Sequence, residues 1–143
     1  MVVLIDTDVL MDYAQRREPF YENAAKIIEY KHRHRFIGII TTQCVANMFY
    51  LLSKDKKKID YPKNIRNTLL GLCYLFRVSE VESGMTIRAL DEPQYKDFED
   101  RLQMLCAVKE NAEFIVTRNL KDYTASEVKG VSPEEFLKLI ESE

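Results

Sequence analysis

Met1-Val2-Val3-Leu4-Ile5-Asp6-Thr7-Asp8-Val9-Leu10-Met11-Asp12 opens the chain, and how these residues are read decides the fold. Val2–Ile5, rich in β-branched side chains, has the pattern of a strand buried on both faces, the mark of a parallel sheet. A carboxylate at the carboxyl end of such a strand stands where open α/β sheets bind their ligands. Packing alone does not call for an acid at Asp6, which needs either a cation or a local hydrogen-bonding task. The competing local explanation makes Thr7 or Asp8 the cap of a helix starting near Val9, with Asp6 a turn residue.

Working outward, strands and helices alternate. Val9–Ala14 and Phe20–Lys31 read as helices, the second with Ala24, Ile27, Ile28 and Lys31 at helical spacing. Phe36–Ile40 is a second apolar strand, and Thr41-Thr42 offers a cap for a helix over Gln43–Leu52. Pro62 suits the first turn of a helix reaching about Leu72, and Tyr74–Val78 reads as a third strand. A short helix starts at Ser83 or Thr86 and ends near Leu90, and Asp97–Asn111 is the strongest helical stretch. Phe114–Thr117 is a fourth strand, Val128–Val131 a candidate edge strand, and Ser132-Pro133-Glu134-Glu135 caps a terminal helix through Ile140. Such alternation implies a three-layer α/β/α sandwich around a mostly parallel sheet, with residues 1–143 as a single domain.

Composition narrows the classes. The 143 residues are 46% hydrophobic and 31% charged, with 4 Gly and 4 Pro, which fits one globular unit without long linkers. A net charge of −2 gives no global field for nucleic acid or membrane, so a polyanion must be held by a local patch. Cys44, Cys73 and Cys106 are odd in number, lack a C-x-x-C spacing and sit in apolar stretches, which points to buried reduced thiols and a cytoplasmic protein. Met1 running straight into the first strand leaves no room for a signal peptide, and no apolar run approaches membrane-spanning length, so no membrane association is expected.

The chemistry gathers at one end of the expected sheet. In Asp97-Phe98-Glu99-Asp100-Arg101-Leu102, Asp97 and Asp100 share a helix face that turns apolar at Met104 and Ala107. Capping explains Asp97, with Arg101 as its pairing partner, but it explains Asp100 poorly, because an unpaired carboxylate at the edge of a core is costly. Asn119 and Asp122 follow the fourth strand at the same sheet end as Asp6. Turn propensity alone accounts for Asn and Asp there. Carboxylates converging from Asp6, from Asp97 with Asp100, and from Asp122 raise one another's pKa unless a cation balances them. Mg²⁺ or Mn²⁺ suits such oxygen donors, and a water held by the ion could act as nucleophile in phosphodiester hydrolysis.

LIDTDVLMDY at the start, and DFEDRLQMLCAVKENAEFIVTRNLKDY later, resemble the PIN-domain proteins, metal-dependent ribonucleases that include VapC-type toxins of bacterial toxin–antitoxin pairs. The resemblance covers nearly the whole chain. It implies a five-stranded parallel sheet between helices, an RNA substrate, an antitoxin partner and often a homodimer. It places the family's first acid on Asp6 and its late-helix acid on Asp100, both metal ligands, with Asp97 as accessory. The last site position falls on Asn119, with Asp122 near enough to substitute. Where the family carries a glutamate after the second strand, this chain has Asn47, on the helix face of Cys44 and Leu51 and so expected to point inward. Asn47 and Asn119 then act as polar supports, leaving the site short of charge, and a catalytically weak or inactive module binding RNA or a protein is the alternative. By the same reasoning Asn47→Glu is expected to tighten metal binding.

Asp6-Thr7-Asp8-Val9 also imitates the nucleophile motif of haloacid-dehalogenase-type phosphatases, for which Lys121-Asp122 is a thin match to the later Lys and acid. Two basic clusters, Lys31–Arg35 and Lys54–Lys58, are solvated helix ends taken singly and an RNA-backbone contact taken together. His32 and His34 lie at the wrong end of the second strand to be ligands. Tyr123 reads as core edge with a weak case for base stacking. Val9, Leu10, Met11, Tyr13 and Phe20 are too apolar for a short exposed helix, which suggests a homodimer or antitoxin face.

Overall fold

Val2–Ile5 becomes the central strand, β1, because its side chains find apolar partners on both sides: Val3 and Ile5 enter one core, Leu4 the other, all fully buried. The computed structural model describes residues 1–54 and 64–143 in full and the backbone of 61–63. After β1 come α1 (Thr7–Ala14), α2 (Tyr21–His32), β2 (Ile37–Thr41) and α3 (Thr42–Ser53). α4 (Tyr61–Leu75), β3 (Arg77–Ser79), α5 (Ser83–Leu90) and α6 (Phe98–Lys109) follow, then β4 (Phe114–Val116), a 3₁₀ turn over Leu120–Tyr123, β5 (Lys129–Val131) and α7 (Pro133–Glu141).

The strand order is β3-β2-β1-β4-β5 with every pairing parallel, Leu4 standing opposite Ile39 on one side and Ile115 on the other. α1–α4 and α7 pack on the face of Val3, Ile5, Ile40 and Val116, while α5 and α6 cover Leu4, Ile39 and Ile115. The three-layer α/β/α sandwich with a parallel sheet is therefore present, and the carboxyl ends of β1, β2 and β4 form one edge of it.

Four expectations change. Tyr74 and Leu75 belong to α4, not to the third strand, because Ile65, Leu69, Leu72 and Phe76 carry one buried stripe down the helix and its overhang. β3 then starts only at Arg77. α1 starts at Thr7 with Asp6 itself as its cap, so neither Thr7 nor Asp8 caps it. Val9, Leu10 and Met11 pack inward, each at most 2% exposed, which removes the apolar surface on which the homodimer expectation rested; of that set only Phe20 is exposed. Cys73 is half-buried rather than buried. Most of the Lys54–Lys58 cluster lies outside the described residues. At the other cluster Arg33 pairs with Glu29, and Arg35 donates to the Ile140 carbonyl.

Candidate functional site

Asp6 is built in by both elements it joins. Its Oδ1 accepts the Thr7 backbone N–H at 2.7 Å and the Gln103 side-chain amide, and its Oδ2 accepts the Thr117 hydroxyl at 2.7 Å. The carboxylate is 4% exposed, and burial raises its pKa in spite of these donors. One helical residue on, Asp8 accepts the Arg118 backbone N–H through Oδ2 at 3.0 Å, while its Oδ1 is buried without a partner. Burial first, then the charge of Asp6, pushes Asp8 up to about 7. Arg118 offsets this pair only in part, because its guanidinium is clamped on Asp12 at 2.6 and 3.1 Å.

α6 delivers the other acids. Asp97 caps it, accepting the Asp100 backbone N–H at 2.9 Å. The Asp100 carboxylate is therefore free of capping and accepts from the Tyr123 hydroxyl at 3.2 Å. Burial, then the charges of Asp6 and Asp97, push Asp100 up to about 7. Tyr123, its ring buried and not free to stack on a base, also takes a long hydrogen bond from Gln103. Burial and the carboxylates Asp6 and Asp100 raise the phenol and keep it protonated. Glu99 reaches the same place from the side, where the Asn47 amide of α3 donates to both its oxygens, at 2.8 and 3.1 Å.

These side chains line an open cleft of about 220 Å³ that takes in Asp6, Thr7, Asp8, Met11, Arg17, Asn47, Leu51, Asp97, Glu99, Asp100 and Asn119. Five of the six residues singled out from sequence, Asp6, Asp97, Asp100, Asn47 and Asn119, thus meet at one place. Asp122 does not. It lines a neighbouring cleft of about 400 Å³ with Lys96 and Lys121, shares the Asp97–Asp100 wall, and stays close enough to raise Asp100. Arg101 does not pair with Asp97; it lies between Glu92 and Glu127. Asp8, Glu99, Gln103 and Tyr123 are the site residues sequence reasoning missed. Gln103 was legible: with Arg101 it is one of two polar residues in a helical run buried from Arg101 to Ala107.

The donor set fits a hard divalent cation. Thr7 Oγ1, Asp8 Oδ1 and Gln103 Oε1 are three of the four buried side-chain oxygens without a partner among the described residues. All are oxygens, and the acids beside them make no ion pair among the described residues. Among the described residues no three His, Cys, Asp or Glu side chains are already grouped as around a bound ion.

The PIN-domain family model matches residues 2–121. Ribonuclease VapC1 of Aquifex aeolicus is 28% identical over 136 residues, covering 94% of this chain and 92% of the relative. Among solved structures, VapC20 of Mycobacterium tuberculosis, a sarcin–ricin-loop-cleaving toxin, superposes with a TM-score of 0.69 at 12% identity over 89% of this chain and 97% of its own. A toxin–antitoxin complex from Klebsiella pneumoniae gives 0.66 at 19% identity over 92% and 97%. With the family model spanning most of the sequence and these structures sharing its fold, the chain belongs to the PIN-domain family.

Proposed function

We propose that this protein is an endoribonuclease dependent on Mg²⁺ or Mn²⁺ and the toxin of a toxin–antitoxin pair. The observation that carries the reading is the group Asp6, Asp8 and Asp100, which line one cleft at the carboxyl edge of a parallel sheet and, among the described residues, make no ion pair. Asp6 and Asp100 would hold the ion, Asp97 and Asp122 would stand beside it, and Asn47 and Asn119 would support it through their amides. When bound, such an ion supplies Lewis acidity toward phosphoryl oxygens and makes water a stronger nucleophile near neutral pH.

The chain's own groups do the rest. Thr7, Gln103 and Thr117 fix both oxygens of Asp6, so its charge does not swing away when a phosphodiester enters. Tyr123 stays a proton donor and orients Asp100. Without an ion, burial and the neighbouring acids push Asp100 up to about 7, a cost that a bound cation would relieve. RNA as substrate and a protein antitoxin as partner are supported by the names of the Aquifex ribonuclease and the Klebsiella complex. The three free cysteines suit the cytoplasm. Among the described residues no helix is long and apolar enough to cross a membrane. A haloacid-dehalogenase-type phosphatase is disfavoured because Lys121, the match for its later lysine, is exposed in the neighbouring cleft and does not line the one that holds Asp6.

The test is cleavage of mixed single-stranded RNA with Mn²⁺, with Mg²⁺ and with EDTA. Metal-dependent cleavage that disappears in Asp6→Asn is expected. Wild type that binds neither ion and cuts no RNA would leave the inactive-module alternative in its place.

A further inference from the structure

We propose that Glu99 is the acid that α3 lacks: the charge absent at Asn47 is supplied across the cleft by α6, and Asn47 is the residue that positions it. The inference deepens the metal-dependent reading above and rests on it.

Glu99 stands in the first turn of α6, where an acid is ordinarily explained by the helix dipole. An acid with only that task stays solvated. Glu99 is half-buried, lines the cleft of Asp6 and Asp100, and has both oxygens within 2.8–3.1 Å of one amide nitrogen. Its carboxylate shares the cleft with those of Asp6, Asp97 and Asp100, and the Asn47 amide is the neutral donor that holds it there. A carboxylate offers roughly four acceptor positions, and Asn47 occupies two, so about half remain for a cation. The donor and the charge have traded helices. An asparagine at 47 gives up nothing if the acid it faces does the work an acid at 47 would have done.

The same contact attaches a cost to Asn47→Glu. Added to wild type, a second carboxylate meets Glu99 where a donor now stands, so repulsion and a lower melting temperature of the metal-free protein are expected.

The decisive set is wild type, Glu99→Gln, Asn47→Asp and the isosteric reversal that combines the two. Mn²⁺ binding is followed by calorimetry, folding by thermal unfolding in EDTA, and RNA cleavage alongside. Glu99→Gln keeps shape and a hydrogen bond to Asn47, so a merely structural role predicts wild-type binding. The charge role predicts a Kd for Mn²⁺ raised at least about tenfold, some 1.4 kcal/mol, with melting unchanged or higher. In the reversal, the carboxylate introduced on α3 accepts from the amide introduced on α6, and binding returns to within about threefold of wild type, a coupling the double-mutant cycle reads directly. Glu99→Gln binding Mn²⁺ as wild type does, or a folded reversal as weak as Glu99→Gln, overturns the inference alone. If Glu99→Gln proves unfolded in EDTA, recovery of Mn²⁺ binding in a folded reversal still supports it. Wild type that binds no Mn²⁺ overturns the metal-dependent reading and the inference with it. Binding without cleavage overturns only the ribonuclease.

Discussion

Asp100 and Arg101 are neighbours on α6, and the chain treats their charges in opposite ways. Arg101 is fully buried and answered on every side. Glu127 meets it at 2.9 Å, Glu92 at 3.1 Å, and the Tyr95 ring lies 3.9 Å from its guanidinium carbon. Asp100, less buried, has a single phenol for company and three acids nearby. The first cluster joins the segment before α6 to the approach of β5; the second leaves its charge unbalanced. A fold able to neutralise one buried charge so fully has no general difficulty with charge. That Asp6, Asp8 and Asp100 lack a comparable ion pair among the described residues is therefore a property of that location, and it is the feature on which the proposed cation site rests.

The comparison breaks most visibly at its paired side. Arg101→Met should destabilise the protein by about 3 kcal/mol, since it strips two carboxylates of their partner, and thermal unfolding would show it. A loss below about 0.5 kcal/mol would mean that the pair is ornamental.

At the unpaired side the large effect falls on activity. Asp6→Asn should reduce Mn²⁺-dependent RNA cleavage at least about 100-fold, because it removes a charge held rigid by three donors. Cleavage at the wild-type rate would end the assignment at its first residue.

Acidity separates the two clusters without mutation. Asp8 and Asp100 are raised from an ordinary value of 3.8 to about 7, so the folded protein holds their protons more tightly than the unfolded chain does. Their stabilising share is full below about pH 4 and is lost as pH rises to about 7. Glu127 has the opposite sign: Arg101 lowers its pKa, so its share is present above the ordinary 4.5 and is lost on acidification below that. In EDTA the melting temperature should therefore be higher at pH 5.5 than at pH 7.5 by a few degrees, and Mn²⁺ should raise it more at pH 7.5. A metal-free melting temperature that climbs steadily to pH 7.5 would remove the argument for unbalanced acids.

The smallest effect is a gain. Asp100→Asn retains an oxygen for Tyr123 and removes a like charge, so it should stabilise metal-free protein by about 1 kcal/mol while costing Mn²⁺ binding.

How much of this was legible before folding differs by feature. Val2–Ile5 and Phe114–Val116 read as parallel strands because double-sided burial writes itself as an unbroken apolar run. Asp97 read as a cap from its place before the helix. Tyr74 misled because an aromatic favours strands in isolation, whereas the stripe from Ile65 to Phe76 keeps it on the exposed side of a helix, 86% accessible. Glu99 was invisible for a different reason. About 100° round the helix from Asp100, it leaves the acidic face, and only the approach of α3 turns its side of α6 into cleft wall. Asp8 hid behind its own suitability as a cap, and the pull of Arg101 toward Glu92 and Glu127 depends on segments brought together only by the sheet.

Thr117, which bonds Asp6, lies 111 residues after it, and the pairing of β4 beside β1 spans nearly the same distance. During synthesis at about 5–20 residues per second, Asp6 leaves the ribosome roughly 6–20 s before the residue that completes its setting. Over that interval the first acid belongs to no cleft. A chain lacking β4 would carry most of these acids without the strand beside β1 and without the Thr117 hydroxyl, so the setting of Asp6 is completed late in synthesis.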